Sequence, residues 1–185
     1  MTLLMRHCAP QIANGVCLGQ LDVPLCVDGL AHAQRVASEW SKPALGWLVC
    51  SDLVRTQQTA EPIARRFGLT VKLDTRLREL AMGEFTGRSW DAIYASEPHA
   101  FARWGEHFIS EGPPGGESYL SQQARVCAAF AEYSALPGNG LIVTHQGALR
   151  VLFGRLQGIA PELAVQRNFE YGEILVVSGA SGPPL

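Results

Sequence analysis

This sequence predicts an α/β fold in three layers (α/β/α), with a mostly parallel central sheet, helices on both faces and a helical lid insertion. Three observations predict it. Short apolar runs, Leu3-Leu4-Met5, Trp47-Leu48-Val49-Cys50 and Leu141-Ile142-Val143-Thr144, alternate with longer segments of helical period. These runs are apolar almost throughout, as strands buried on both faces of a parallel sheet are. Each then stops abruptly at polar residues: Arg6-His7, Ser51-Asp52 and His145.

The elements follow in order. Leu3-Leu4-Met5 is the first strand, and residues 9–26, with Pro, Asn and Gly punctuation, read as a loop. Over 28–40, Leu30, Ala33, Val36, Ala37 and Trp40 recur at helical spacing. The strand at 47–50 leads into a helix over 53–67 that Gly68 stops and Pro62 is expected to kink or break. Val71-Lys72-Leu73 is a weaker third strand. Residues 79–117 interrupt the alternation with two short helical patterns, Trp90, Trp104 and the loop Gly112-Pro113-Pro114-Gly115-Gly116. A long helix over 117–136 places Leu120, Ala124, Cys127 and Ala131 on one stripe, and Pro137-Gly138-Asn139-Gly140 ends it. A strand at 141–144, a helix over 147–156 and a last strand at 174–177 complete the order, with the tail 178–185 expected to fray. With no internal repeat or low-complexity linker, 1–185 reads as one domain with a lid insertion at about 84–117.

Composition narrows the function. The 185 residues are 47% hydrophobic and 17% charged, with a net charge of −2, which disfavours disorder. No basic run or charge excess suits nucleic acid or an anionic membrane. No stretch of about 18 apolar residues spans a bilayer, and charge at Arg6 comes too early for a signal peptide. The expected setting is a cytoplasmic, soluble one. Cys8, Cys17, Cys26, Cys50 and Cys127 form an odd set without a C-x-x-C pair, so they read as free, mostly buried thiols.

Ligands of open parallel sheets bind beyond the carboxyl ends of the strands. Here those ends carry His7, His145, Arg6 and Arg55, and helices begin directly after two of them. Guanidinium forks and helix N-termini suit a phosphate dianion. Either histidine alone reads equally well as a satisfied structural group; the pair with its arginines points to an anion site.

The residues Arg6-His7, Ser51-Asp52-Leu53-x-Arg55-Thr56-x-x-Thr59-Ala60, Leu77-x-Glu79-x-x-x-Gly83-x-Phe85-x-Gly87, Gly115-Gly116-Glu117-Ser118 and Val143-Thr144-His145-Gln146-Gly147 resemble the histidine phosphatase superfamily, which includes phosphoglycerate mutases. The matches keep that family's order from residue 3 to about 152. The resemblance implies that His7 attacks phosphorus and becomes phosphohistidine, that Arg6, Arg55 and His145 hold the phosphoryl oxygens, and that Glu79 serves as acid and then base. Gln146, Gln20 and Glu117 are expected at the substrate; Glu117 also reads as a helix N-terminal charge. No metal or cofactor is implied, and the partner is a small-molecule phosphomonoester.

Cys8 stands where the family usually has glycine, and Gln146 where a second glycine is common. Cys8 is not expected to be a nucleophile, because Asn14 occupies the position a cysteine phosphatase reserves for arginine. Pro10 and Ala13 replace the Ser/Thr and Asn usual in the mutases, which favours phosphatase. The run Gly15-Val16-Cys17-Leu18-Gly19-Gln20-Leu21-Asp22-Val23-Pro24-Leu25 resembles the α-ribazole phosphatase branch, with Leu18 in place of a tyrosine. The implied reaction is α-ribazole 5′-phosphate dephosphorylation in cobalamin assembly. The alternatives are another small-molecule or phosphohistidine phosphatase, a mutase, or a non-catalytic phospho-ligand binder. Trp90 and Trp104 read as lid core, His32, His99 and His107 as surface or lid residues, and Arg65-Arg66 as a solvated helix end.

Overall fold

A computed structural model describes residues 1–177, so the tail expected to fray lies outside the described residues. The strands are β1 (Thr2–Arg6), β2 (Trp47–Cys50), β3 (Val71–Leu73), β4 (Gly140–Thr144) and β5 (Ile174–Val177). The helices are α1 (Val27–Ser38), α2 (Val54–Phe67), α3 (Trp90–Ser96), α4 (Pro98–His107), α5 (Tyr119–Ser134), α6 (Gln146–Gln157) and α7 (Pro161–Ala164). The sheet order is β3-β2-β4-β1-β5. All pairs are parallel except β1 with β5.

The predicted α/β fold is observed, and the strand period builds it. Leu3, Met5, Leu48, Cys50, Leu141 and Val143 point to one face, where Ala33 and Ala37 of α1 and Ala60, Ile63 and Ala64 of α2 cover them. Leu4, Val49 and Ile142 point to the other, against Val126 and Phe130 of α5 and Leu149 and Leu152 of α6. Each fully buried aliphatic side chain contributes about 1.5–3 kcal/mol. A one-residue slip would exchange the two cores, so this packing sets the register.

Three helical expectations are corrected. In α1 the buried stripe is Gly29, Ala33 and Ala37, while Leu30 is 43% exposed and the helix ends before Trp40. A β-carbon at position 29 would lie 2.1 Å from the Ala9 carbonyl, so α1 turns its smallest residue to the chain it crosses. α2 runs on through the buried Pro62 without a break, and Gly68 (φ +65°) caps it. α5 buries Tyr119, Gln122, Val126, Phe130 and Tyr133; of the expected stripe only Cys127 is buried. The aromatics remove far more apolar area from water than alanines do, and the helix rotates accordingly. Arg65 and Arg66 are exposed, as expected, and Arg66 also donates from Nη1 to the Ala37 and Ser38 carbonyls, tying α2 to the end of α1.

Between β3 and α5, helices α3 and α4 pack on a separate cluster of Cys17, Met82, Phe85 and Ile93, flanked by Trp90, Phe101 and Trp104. The Trp90 and Trp104 rings are parallel within 2°, their centroids 6.1 Å apart. Among the described residues no helix is long and apolar enough to cross a membrane.

Candidate active site

Strand order brings the two histidines together. β1 and β4 are neighbours with Arg6 opposite Thr144, so His7 and His145 leave the sheet side by side at its carboxyl edge. Their ring centroids are 5.1 Å apart, edge to face at 62°. β2 flanks β4 on its other side, which brings Ser51 Oγ within 2.7 Å of His145 Nε2. All three side chains are buried.

His7 Nδ1 lies 2.7 Å from the Cys8 carbonyl oxygen. A carbonyl only accepts, so Nδ1 carries the proton and Nε2 keeps its lone pair. Among the described residues no hydrogen bond engages that Nε2. Burial, and then the Arg55 guanidinium, hold the His7 pKa well below the usual 6.5, so the ring is neutral at pH 7. Burial, Arg55 and His7 do the same to His145. The Cys8 side chain turns away into the α1–α2 core, where burial pushes its thiol up to about 11. Among the described residues no non-glycine has a positive φ, so the backbone at position 8 does not require the family's glycine.

Arg6 Nη1 donates to the Phe169 carbonyl at 2.6 Å. Arg55, fully buried, donates from Nη1 to the Leu21 carbonyl (2.7 Å) and from Nη2 to that of Gly19 (2.9 Å), fastening the long loop before α1. Six buried side-chain nitrogens and oxygens lack a hydrogen-bond partner among the described residues. Four of them are Arg6 Nε, Arg55 Nε, His145 Nδ1 and Gln146 Oε1. Orphaned buried polar atoms are rare.

Glu79 Oε2 accepts the Gly147 N–H at 3.1 Å, and Oε1 accepts Leu80 N–H at 2.9 Å and Gln122 Nε2 at 3.4 Å. The Glu79 carbonyl receives Gln20 Nε2 and Arg125 Nη2, both at 2.9 Å. Arg125 is in turn paired with Glu117. Gln20 and Glu117 therefore hold the backbone that carries Glu79, and neither lines the cavity.

That cavity measures about 820 Å³. His7, Arg6, Glu79 and Gln146 line it, while Arg55 and His145 lie behind the lining. Trp90 and Trp104 form part of its wall as well as packing the segment above. Arg88 and Arg103 stand outside the lining, in ion pairs with Glu97 and Glu111. Arg150, Tyr171 and Gln122 also line the cavity, and sequence reasoning missed all three. Arg150 follows Gln146 by four residues on α6, so helical spacing alone puts both on one face. Gln122 is a polar residue on the apolar stripe of α5. Tyr171 precedes β5, which pairs antiparallel with β1, and nothing in the local pattern reveals that direction. Among the described residues no group of three or more His, Cys, Asp or Glu side chains is placed to hold a metal ion.

Comparison with known proteins agrees with this geometry. The family model of the histidine phosphatase superfamily (branch 1) matches residues 2–184. A probable phosphoglycerate mutase GpmB of Yersinia pestis (strain Pestoides F) is 37% identical over 147 residues, 76% of this chain but only 66% of the relative's length. The α-ribazole phosphatase from Shigella flexneri superposes with a TM-score of 0.83 at 26% identity, over 94% of this chain and 87% of that one. A mycobacterial glucosyl-3-phosphoglycerate phosphatase gives 0.82 at 28% identity, over 94% and 87%. The family match spans every strand of the sheet and both strand-end histidines, and the chain belongs to branch 1 of the histidine phosphatase superfamily.

Proposed function

We propose that the chain is one domain, 1–185, that hydrolyses phosphomonoesters through a phosphohistidine at His7, with residues 84–117 as a lid on the leaving-group side. One observation carries this reading. A neutral His7, its Nε2 engaged by no hydrogen bond among the described residues, stands with Arg6 Nε, Arg55 Nε and His145 Nδ1, buried nitrogens that find no acceptor among those residues.

In the first step His7 Nε2 attacks phosphorus in line. The N–P bond forms as the P–O ester bond breaks, and Glu79 gives a proton to the departing alkoxide. In the second, Glu79 takes a proton from water as its oxygen attacks phosphorus, the N–P bond breaks, and His7 returns to its neutral state. Arg6 and Arg55 through Nε, and His145 through Nδ1, stabilise charge on the equatorial oxygens. A neutral His145 can donate from Nδ1 only if the Ser51 hydroxyl donates to its Nε2, which the 2.7 Å contact allows. The Gln146 carbonyl oxygen accepts from a substrate hydroxyl. The scheme calls on no metal or cofactor.

The leaving group we assign is an alcohol with a largely uncharged, partly aromatic body, α-ribazole 5′-phosphate being the specific candidate. Leu80, Met82, Trp90, Trp104 and Phe108 form an apolar wall, and the lid cations Arg88 and Arg103 are paired outside the cavity lining. A mutase reading draws on the GpmB-type relatives; Pro10 and Ala13, which also line the cavity, speak against it. The test is kcat/KM for α-ribazole 5′-phosphate, 3-phosphoglycerate and fructose bisphosphate. A hundredfold preference for the ribazole ester, about 2.7 kcal/mol, supports the assignment. Equal turnover of 3-phosphoglycerate leaves a general phosphatase, and its conversion to the 2-isomer makes the chain a mutase.

A further inference from the structure

We propose that Tyr171 is the positioning residue for Arg6, its ring fixing the plane of the guanidinium so that the Nε–Nη2 edge faces the phosphoryl group. The proposal rests on the reading of Arg6 as a phosphate ligand.

A guanidinium binds phosphate strongly only when one edge lies in the right plane to make two parallel hydrogen bonds. Arg6 stands at the end of β1 on a long side chain, and two contacts constrain it. Nη1 donates to the Phe169 carbonyl at 2.6 Å, which fixes one point. The Tyr171 ring lies against the guanidinium face, with Cζ 3.8 Å from the ring centroid, which fixes the plane. The edge opposite the anchored Nη1 is left for a ligand. Its Nε is buried without a partner among the described residues. The same ring lies 5.6 Å from that of His7, tilted by 42°, so one aromatic group touches both members of the pair at the end of β1. Burial disfavours the charged guanidinium, and Tyr171, Glu79 and Glu170 oppose that loss.

The chain is built to hold this ring in place. β5 runs antiparallel to β1, so its entry turn falls beside the carboxyl end of β1. Two backbone bonds stitch the turn to Arg6, Gly172 N–H to the Arg6 carbonyl and Arg6 N–H to the Glu173 carbonyl, both at 3.1 Å. Gly172 has φ +78°, and a β-carbon there would come within 2.6 Å of the His32 ring on α1, so glycine closes this turn. Phe169, which supplies the anchor, and Tyr171, which supplies the plate, belong to one short segment and act as a single clamp.

The experiment measures kcat and KM for 4-nitrophenyl phosphate, and the inhibition constant of inorganic phosphate. It compares the wild type with Tyr171→Phe, Tyr171→Leu, Arg6→Gln and the double variant Tyr171→Leu/Arg6→Gln. Tyr171 is 37% exposed, so replacing it empties no core; Tyr171→Ser serves as a second variant, and thermal unfolding checks each. Tyr171→Phe keeps the ring face and should stay within about threefold of wild type, whereas Tyr171→Leu should weaken phosphate binding and kcat by about tenfold. In the Arg6→Gln background Tyr171→Leu should add less than about twofold, because the group it positions is gone. A full tenfold loss in that background would mean that Tyr171 acts on the substrate itself and would overturn the proposal, as would an unimpaired, folded Tyr171→Leu. A wild type that neither turns over the ester nor binds phosphate would remove the phosphatase reading along with it, an outcome distinct from both.

Discussion

The Glu79 carboxylate fills the space that any side chain at position 147 would need. Oε2 accepts the Gly147 N–H at 3.1 Å, and a β-carbon on residue 147 would sit 2.2 Å from Oε1. The first turn of α6 and the proposed acid are thus one fitted unit. Gly147→Ala should displace the carboxylate by about an ångström and lower kcat on alkyl phosphates by about a hundredfold. An alanine variant with wild-type kcat would show that the position of Glu79 does not govern the chemistry.

Glu79→Gln should separate the two steps by leaving group. Alkyl phosphates need a proton at departure and should lose about a thousandfold in turnover. Nitrophenolate leaves without one, so pre-steady-state traces should show a burst near one equivalent of nitrophenol followed by slow hydrolysis of the phosphoenzyme. Equal losses for both esters, with no burst, would take Glu79 out of the acid role.

Much of this site is legible because strand ends write themselves into sequence. Leu3-Leu4-Met5 and Leu141-Ile142-Val143 are buried on both faces, and the switch to Arg6-His7 and to His145 marks where each strand leaves the sheet. What stays illegible is set by partners far away in the chain. Gln20 and Glu117 look like ligands in sequence, yet they hold the Glu79 segment through its carbonyl and through Arg125. Tyr171 reaches Arg6 only because β5 pairs antiparallel with β1, a choice made by the assembled sheet. The buried face of α5 follows its aromatics, although the alanine spacing points elsewhere.

The two buried histidines make stability depend on pH. Their pKa values are pushed well below 6.5 in the folded chain, so below about pH 6.5 the unfolded chain takes up protons that the native site refuses. Native stability should therefore fall as pH drops from 7.5 to 5.5, at up to about 2.7 kcal/mol per unit for the pair, and should be flat in this respect above pH 7.5. Urea denaturation across that range checks it, and His145→Asn should roughly halve the slope. A slope unchanged by that substitution contradicts the assignment.

Cys8→Ser should keep kcat/KM within about threefold while costing about 1–3 kcal/mol of stability, since a hydroxyl replaces a thiol buried among apolar residues. The thiol, pushed up to about 11, is not a nucleophile at neutral pH, and the chain uses the Cys8 carbonyl instead. Abolished turnover in a folded Cys8→Ser would return the thiol to the mechanism.

The central claim is the covalent intermediate, and trapping it is the most direct measurement. Glu79→Gln protein mixed with a ³²P-labelled nitrophenyl ester in excess EDTA, quenched in alkali and digested, should yield one labelled peptide. The label should be alkali-stable and acid-labile, located on His7 Nε2, and absent from His7→Ala. Label that survives His7→Ala, or that resides on Cys8, or turnover that stops in EDTA and returns with added metal, would contradict the account.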